Sequence, residues 1–206
     1  MVAIGTRFTK ELFPLEIVHY PHPTLRYHSK PIRRVNNELK KIVDEMFDLM
    51  YEASGVGLAA NQVDLPVQLF VTNPAGERGD GEEHVFINPV LSRPKGSEEK
   101  QEGCLSLPEL YGNVIRPREI HCQAYNLKGQ EFKRTVDGLF GRIIQHETDH
   151  LQGVLFIDRM KESIRESVSD EIEEFEIEFQ SMRDSGTIPD DSIIRKRLAD
   201  MESRFC

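Results

Sequence analysis

The chain of 206 residues predicts a single α+β fold. Strand-like runs and amphipathic helical runs both occur, and they do not alternate in the regular order of parallel crossover units. Two of the strand-like runs are separated only by the turn pair Lys128-Gly129, the spacing of a hairpin.

Taken in order, residues 15–32 contain Pro21, Pro23 and Pro31 and read as extended or turned backbone. Leu39, Ile42, Val43, Met46, Phe47 and Met50 then recur three and four apart, the stripe of a helix started by Asn36 or Asn37 and ended before Gly55. Residues 67–73 and 85–91 read as buried strands, and 74–83 and 94–101 as loops. The hairpin takes 119–127 and 130–137, and a helix follows over 139–152 with Gly153 as its stop.

Beyond residue 160 the pattern changes. Ile164, Val168, Ile172, Phe175, Phe179 and Met182 form one seam with acids between them, the mark of an amphipathic helix. Ser185-Gly186 and Pro189 interrupt it, and Ile194, Leu198, Met201 and Phe205 mark a second short helix. The seam is expected to dock on its own domain, with a partner helix as the alternative. The chain therefore divides into a body, 1–160, and an acidic helical extension, 161–206.

Composition narrows the class. Hydrophobic residues make up 38% and charged ones 30%, an ordinary globular mix, and apolar runs such as 154–157 are far too short to span a bilayer. The net charge is −9, of which the extension, with 7 Lys+Arg against 13 Asp+Glu, carries −6. A broad nucleic-acid surface needs a basic face, and no nucleic-acid motif is present. Three cysteines without a CxxC pair read as reduced thiols, and residues 1–13 lack the apolar core of a secretory signal. The expected compartment is the cytoplasm.

The most informative segment is Gln145-His146-Glu147-Thr148-Asp149-His150. Residues four apart share a helix face, so His146 and His150 can grip one cation while Glu147, one step round, reaches a water bound to it. A catalytic metal needs a third protein ligand and an open position. The metzincin pattern is excluded because Phe156 stands where it requires His. Glu166 or Glu171 downstream can formally serve, as in a gluzincin-type endopeptidase, although both lie among the acids of the extension. Upstream, Cys104 offers a thiolate in the segment Glu102-Gly103-Cys104-Leu105-Ser106, and a thiolate beside two imidazoles is a sound set for a borderline divalent ion. A third segment, GVGLAANQ at 55–62, combines Gly55 and Gly57 with a carboxamide, Gln62, and lacks the Lys of a phosphate cradle. A metal-stabilised binding protein acting through the tail seam is the competing class, and it has no need of Glu147.

GVGLAANQ (55–62), EGCLS (102–106) and QHETDHLQG (145–153), in this order, resemble the three signature motifs of the peptide deformylase family. The stretch from Tyr20 to Arg26 is similar to the family's amino-terminal region, and the resemblance spans about residues 15–159. It implies an α+β fold of mainly antiparallel sheets packed around a central HExxH helix. It also implies hydrolysis of the formyl amide on the amino-terminal formylmethionine of nascent polypeptides. Carried over, Cys104, His146 and His150 are metal ligands, and Glu147 is the general base and acid for attack by metal-bound water. Gln62 and the Leu105 N–H form the oxyanion hole, and Gly57 binds the substrate backbone. Val56, Leu139 and Ile143 are candidates for the methionine pocket. Arg116 is placed behind the ligands, with Glu102 or Asp149 orienting an imidazole. The implied ion is Fe2+, one per chain, although Zn2+ outranks it in general affinity; Zn2+, Ni2+ or Co2+ are the alternatives in purified protein. The implied partners are N-formylmethionyl peptides and, transiently, the ribosome. The long acidic extension departs from the basic helix by which some members dock there.

Overall fold

The computed structural model describes residues 15–206; the segment read for a secretory signal lies outside the described residues. The first helix, α1 (Asn37–Glu52), buries the whole predicted stripe from Leu39 to Met50. Asn36 caps it, its side-chain oxygen accepting from the Leu39 N–H at 2.8 Å.

Seven strands follow. They are β1 (Gly57–Ala59), β2 (Leu69–Thr72), β3 (His84–Lys95), β4 (Glu98–Cys104), β5 (Leu107–Arg116), β6 (Glu119–Tyr125) and β7 (Glu131–Asp137). Five make one antiparallel sheet in the order β1-β2-β3-β6-β7, and β4 pairs with β5 in a separate antiparallel ribbon. β6 and β7 form the predicted hairpin, with Gly129 in the left-handed conformation its turn requires (φ 70°). The α+β class read from the sequence is borne out, and the sheets are antiparallel.

Strand β2 shows why its sequence lacks alternation. Leu69 and Val71 face α1, whereas Phe70 joins Phe86, Ile144 and Leu151 on the opposite face. With both faces covered, every residue of the strand is buried. Helix α2 (Gly138–Leu151) supplies that second layer and packs against β1, β2, β6 and β7. Phe70 and Phe86 stack at 4.6 Å beneath it. Gly153 ends the turn after α2 at φ 71°, and a Cβ there would lie 2.5 Å from the Arg26 carbonyl oxygen, so both conformation and space demand glycine.

The β4–β5 ribbon differs from expectation. Residues 94–101 are not a loop: they complete β3 and begin β4, leaving only Gly96-Ser97 between the strands. Strand β5 was not among the predicted elements. The β4 side of this ribbon is solvated and charged, so it carries no apolar alternation to read, and Pro108 and Gly112 mask the pattern in β5. A register shift separates Gly103, opposite Tyr111, from Cys104, opposite Leu107, and so takes Cys104 out of the regular ladder.

The first of the two expected tail helices is split into α3 (Glu162–Glu166) and α4 (Ser169–Asp184), and the second is α5 (Asp191–Phe205), which follows the expected interruption at Ser185-Gly186 and Pro189. The first break falls where Ser167 and Ser169 give their hydroxyls to the carbonyls of Ile164 and Glu166, at 2.7 and 2.9 Å, in competition with helical pairing. The seam docks on its own chain. Ile164, Val168, Ile172 and Phe175 pack with Leu110, Val114 and Met160, and Phe205 enters the core beside α1.

Candidate metal centre and active site

Helix α2 places His146 and His150 one turn apart, ring centroids 5.0 Å from each other, and Cys104 closes the group from the end of β4. The three ligand atoms lie within 4.8 Å of one another, with the Cys104 sulfur 3.3 Å from Nε2 of His150. No other group of three such ligands occurs among the described residues. Glu166 and Glu171, the downstream alternatives, lie exposed on the tail. One thiolate and two imidazoles, nearly enclosed, suit a first-row divalent cation with a position left open.

A buried ionic network sits behind the ligands. Glu102 Oε2 is 3.0 Å from Nδ1 of His146, which directs the other ring nitrogen toward the centre. Arg116 donates to both Glu102 oxygens at 2.6 and 2.9 Å, and Arg142 adds a third bond at 2.7 Å. Burial alone would raise the Glu102 pKa, but the hydrogen bonds with His146 and Arg116 hold it well below the usual carboxylate range. Arg116 also reaches Asp149 at 2.7 Å, and Arg159 grips Asp149 from outside at 2.6 Å. Of the two acids expected to orient an imidazole, Glu102 does so, while Asp149 is engaged by the two arginines.

Charge at the centre favours a cation. Burial opposes a charged His146, yet its hydrogen bonds with Cys104 and Glu102 prevail and raise its pKa to about 10, the response of a base in a negatively charged setting. His150 moves the other way. Burial first, then the positive charges of His146 and Arg116, lower it well below the ordinary histidine value and keep its ring neutral, the form that ligates. Glu147 is pushed up to about 7 by burial, and its Oε2 has no hydrogen-bond partner. An unsatisfied buried carboxylate is costly to maintain, and such groups concentrate where chemistry needs them.

The GVGLAANQ segment reaches this centre. Its residues form β1 and the 3-10 turn Ala60–Val63, where Gln62 is almost fully buried. Gln62 Oε1 accepts from the Ala59 N–H at 2.9 Å, which turns Nε2 toward the Cys104 sulfur at 3.4 Å and the Ser106 hydroxyl at 3.2 Å. Leu105 occupies the turn immediately after Cys104, and the N–H that bonds the sulfur there, at 3.4 Å, belongs to Ser106. Gly57 lies against Glu147: a Cβ added to it would sit 2.5 Å from Oε1 and 2.9 Å from the Ile143 Cγ2. Gly57→Ala is therefore expected to displace Glu147 and lower kcat/KM by about tenfold or more while the protein stays folded, as steady-state kinetics beside a circular dichroism melt will show.

Of the three pocket candidates, Ile143 is buried beside Gly57, Val56 is half-buried, and Leu139 stands 57% exposed at the start of α2. Three contributors were not singled out in the sequence. Ser106 bonds Gln62, Asn61 donates to the His150 carbonyl at 2.7 Å, and Arg142 supports Glu102. Only Arg142 left a signal, a cation four residues before His146 on the buried face of α2.

A cysteine and two HExxH histidines gathered beside a buried, unpaired carboxylate on an α+β scaffold define a metal-dependent hydrolase. The family model for polypeptide deformylase matches residues 14–166. The chain belongs to the peptide deformylase family, enzymes that remove the amino-terminal formyl group of nascent peptides. A peptide deformylase of Rhodopirellula baltica is 47% identical over 192 residues, covering 93% of this chain and 96% of that one. The chloroplastic peptide deformylase 1B of Oryza sativa is 43% identical over 181 residues, 87% of this chain but 66% of that protein. Among solved structures, a plant peptide deformylase PDF1B superposes with a TM-score of 0.81 at 42% identity, covering 88% of this chain and 98% of that one. A Plasmodium falciparum peptide deformylase superposes at 0.78 with 36% identity, covering 81% and 98%.

Proposed function

We propose that the chain deformylates N-formylmethionyl peptides with Cys104, His146 and His150 holding one divalent ion, Fe2+ in the native protein, and Glu147 moving the proton. The observation that carries this reading is the convergence of the three ligand atoms within 4.8 Å beside the unpaired Glu147 carboxylate. A divalent ion held by Cys104, His146 and His150 would supply Lewis acidity and would lower the pKa of water. Glu147 takes the proton of the attacking water and returns it to the departing amine, for which a carboxylate with a pKa near neutrality is suited. Gln62 Nε2 and the Leu105 N–H meet the oxygen as it gains charge, a stabilisation of about 3–4 kcal/mol for one such donor. Gly57 leaves room for a formyl hydrogen beside Glu147, and the methionine side chain lies against Val56, Leu139 and Ile143.

In this reading α2 is the central element around which both sheets pack, and the body, 1–160, carries the chemistry. The work is placed in the cytoplasm at the nascent chain, through transient ribosome association that does not use a basic tail. Comparing formyl-Met-Ala-Ser with a casein-like substrate, with metal quantified in the same sample, tests it. Metal-dependent cleavage of the formyl amide alone is expected. Cleavage of internal peptide bonds with the formyl group untouched points to an endopeptidase instead.

A further inference from the structure

We propose that Arg197, on the carboxy-terminal helix α5, is a positioning residue for the reaction: through Asp64 it holds the Ala60–Val63 turn that brings Asn61 and Gln62 to the metal centre. This rests on the role given to Gln62 above.

A single 3-10 turn has little stability of its own and takes its shape from what surrounds it. This one carries two arms inward. Asn61 donates to the backbone carbonyls of Tyr27 and His150, at 3.0 and 2.7 Å, and Gln62 reaches the Cys104 sulfur and Ser106. The turn ends at Asp64, a left-handed residue (φ 60°) whose N–H bonds back to the Asn61 carbonyl at 3.1 Å. The Asp64 carboxylate, 13% exposed, accepts the Thr24 hydroxyl on one oxygen and pairs with Arg197 Nη2 on the other.

The helix that brings Arg197 there is anchored independently of it. Ile194 and Leu198 are buried on either side, Phe205 enters the core, Tyr27 donates to Glu202 at 2.7 Å, and Arg204 pairs with Glu38. An ion pair with one exposed partner contributes little to attachment, so Arg197 is not what keeps the tail on the body. Its contribution is directional. Without it the Asp64 carboxylate loses one of its two partners and keeps only the Thr24 hydroxyl, so the side chain of the left-handed residue that terminates the turn is held from one side. A displacement of about 1 Å in a catalytic arm costs on the order of 10²-fold in rate, so a partial loss of restraint is felt in kcat before it is felt in stability.

The test measures kcat, KM, bound metal and melting temperature on the full-length metal-loaded enzyme for Arg197→Gln, Arg197→Lys, Gln62→Ala and the Arg197→Gln/Gln62→Ala double variant. Arg197→Gln is expected to lower kcat about tenfold with KM within about twofold, unchanged metal and a Tm shift of about 3 °C or less, while lysine restores at least about half of the rate. In the Gln62→Ala background the same change is expected to cost less than about twofold, because the arm it positions is gone. Asp64→Asn, which keeps the left-handed preference and the Thr24 acceptor, gives the same readout if Arg197→Gln expresses poorly. A tenfold loss in both backgrounds, or a lower Tm with kcat intact, overturns the inference while leaving Gln62 its role. A Gln62→Ala enzyme with full kcat removes that role and the inference together.

Discussion

Replacing Glu147 by glutamine is expected to leave the metal bound and to lower kcat by about 10³-fold or more, the scale of a positioned acid–base group. The substitution is close to isosteric, and Glu147 is not among the converging ligand atoms, so the metal content of purified protein stays stoichiometric. Stability is expected to move the other way. The buried carboxylate has no partner at Oε2, and burial is what pushes its pKa to about 7, so the folded state already resists its charge. A neutral amide removes that penalty, and the melting temperature of Glu147→Gln should equal or exceed that of the parent. An inactive variant that is also metal-free would make Glu147 a ligand; a variant retaining most of its activity would deny it the proton-transfer role.

The second large effect is expected at Cys104. A serine hydroxyl is a weak ligand where a thiolate is a strong one, so Cys104→Ser should lose nearly all of its metal on dialysis against a mild chelator, and its activity with it. The fold is expected to persist. Cys104 sits only half-buried at the edge of the β4–β5 ribbon, and Gln62 keeps its bond to Ser106 at 3.2 Å. Glu102 still holds the His146 ring, and Asn61 still holds the backbone carbonyl of His150. Retention of near-stoichiometric metal in Cys104→Ser, measured by mass spectrometry of the dialysed protein, would take the cysteine out of the ligand set.

How much of this was legible in the chain follows from the range over which each signal acts. Helices α1 and α2, the β6–β7 hairpin and the i,i+4 histidines are local patterns, and each was readable because one helix face or one turn fixes it. The β4–β5 ribbon was hidden because its stability comes from pairing across charged, solvated residues rather than from an apolar stripe. The approach of Gln62 to Cys104, and of Asn61 to His150, joins segments more than forty residues apart, and no spacing encodes it. The resemblance of three ordered motifs implies a place for Gln62 at the centre, and for Asn61 it implies none. The two carboxylate partners of Arg116 follow only from tertiary structure, Glu102 from the pairing of β4 with β5 and Asp149 from the approach of α2. The tail seam docks on its own chain as its apolar spacing predicts, and its break at Ser185-Gly186 and Pro189 is a local signal, while the break between α3 and α4 turns on serine hydroxyls too small to register in an apolar pattern.

The central claim is that sulfur from β4 and two imidazoles from α2 hold one ion. X-ray absorption at the K-edge of the metal in the purified, active protein tests it most directly. The expected first shell contains one sulfur at about 2.3 Å, two nitrogens at about 2.0–2.1 Å, and a light atom from solvent in the open position. A shell of oxygen and nitrogen alone, with no sulfur scattering, would contradict it.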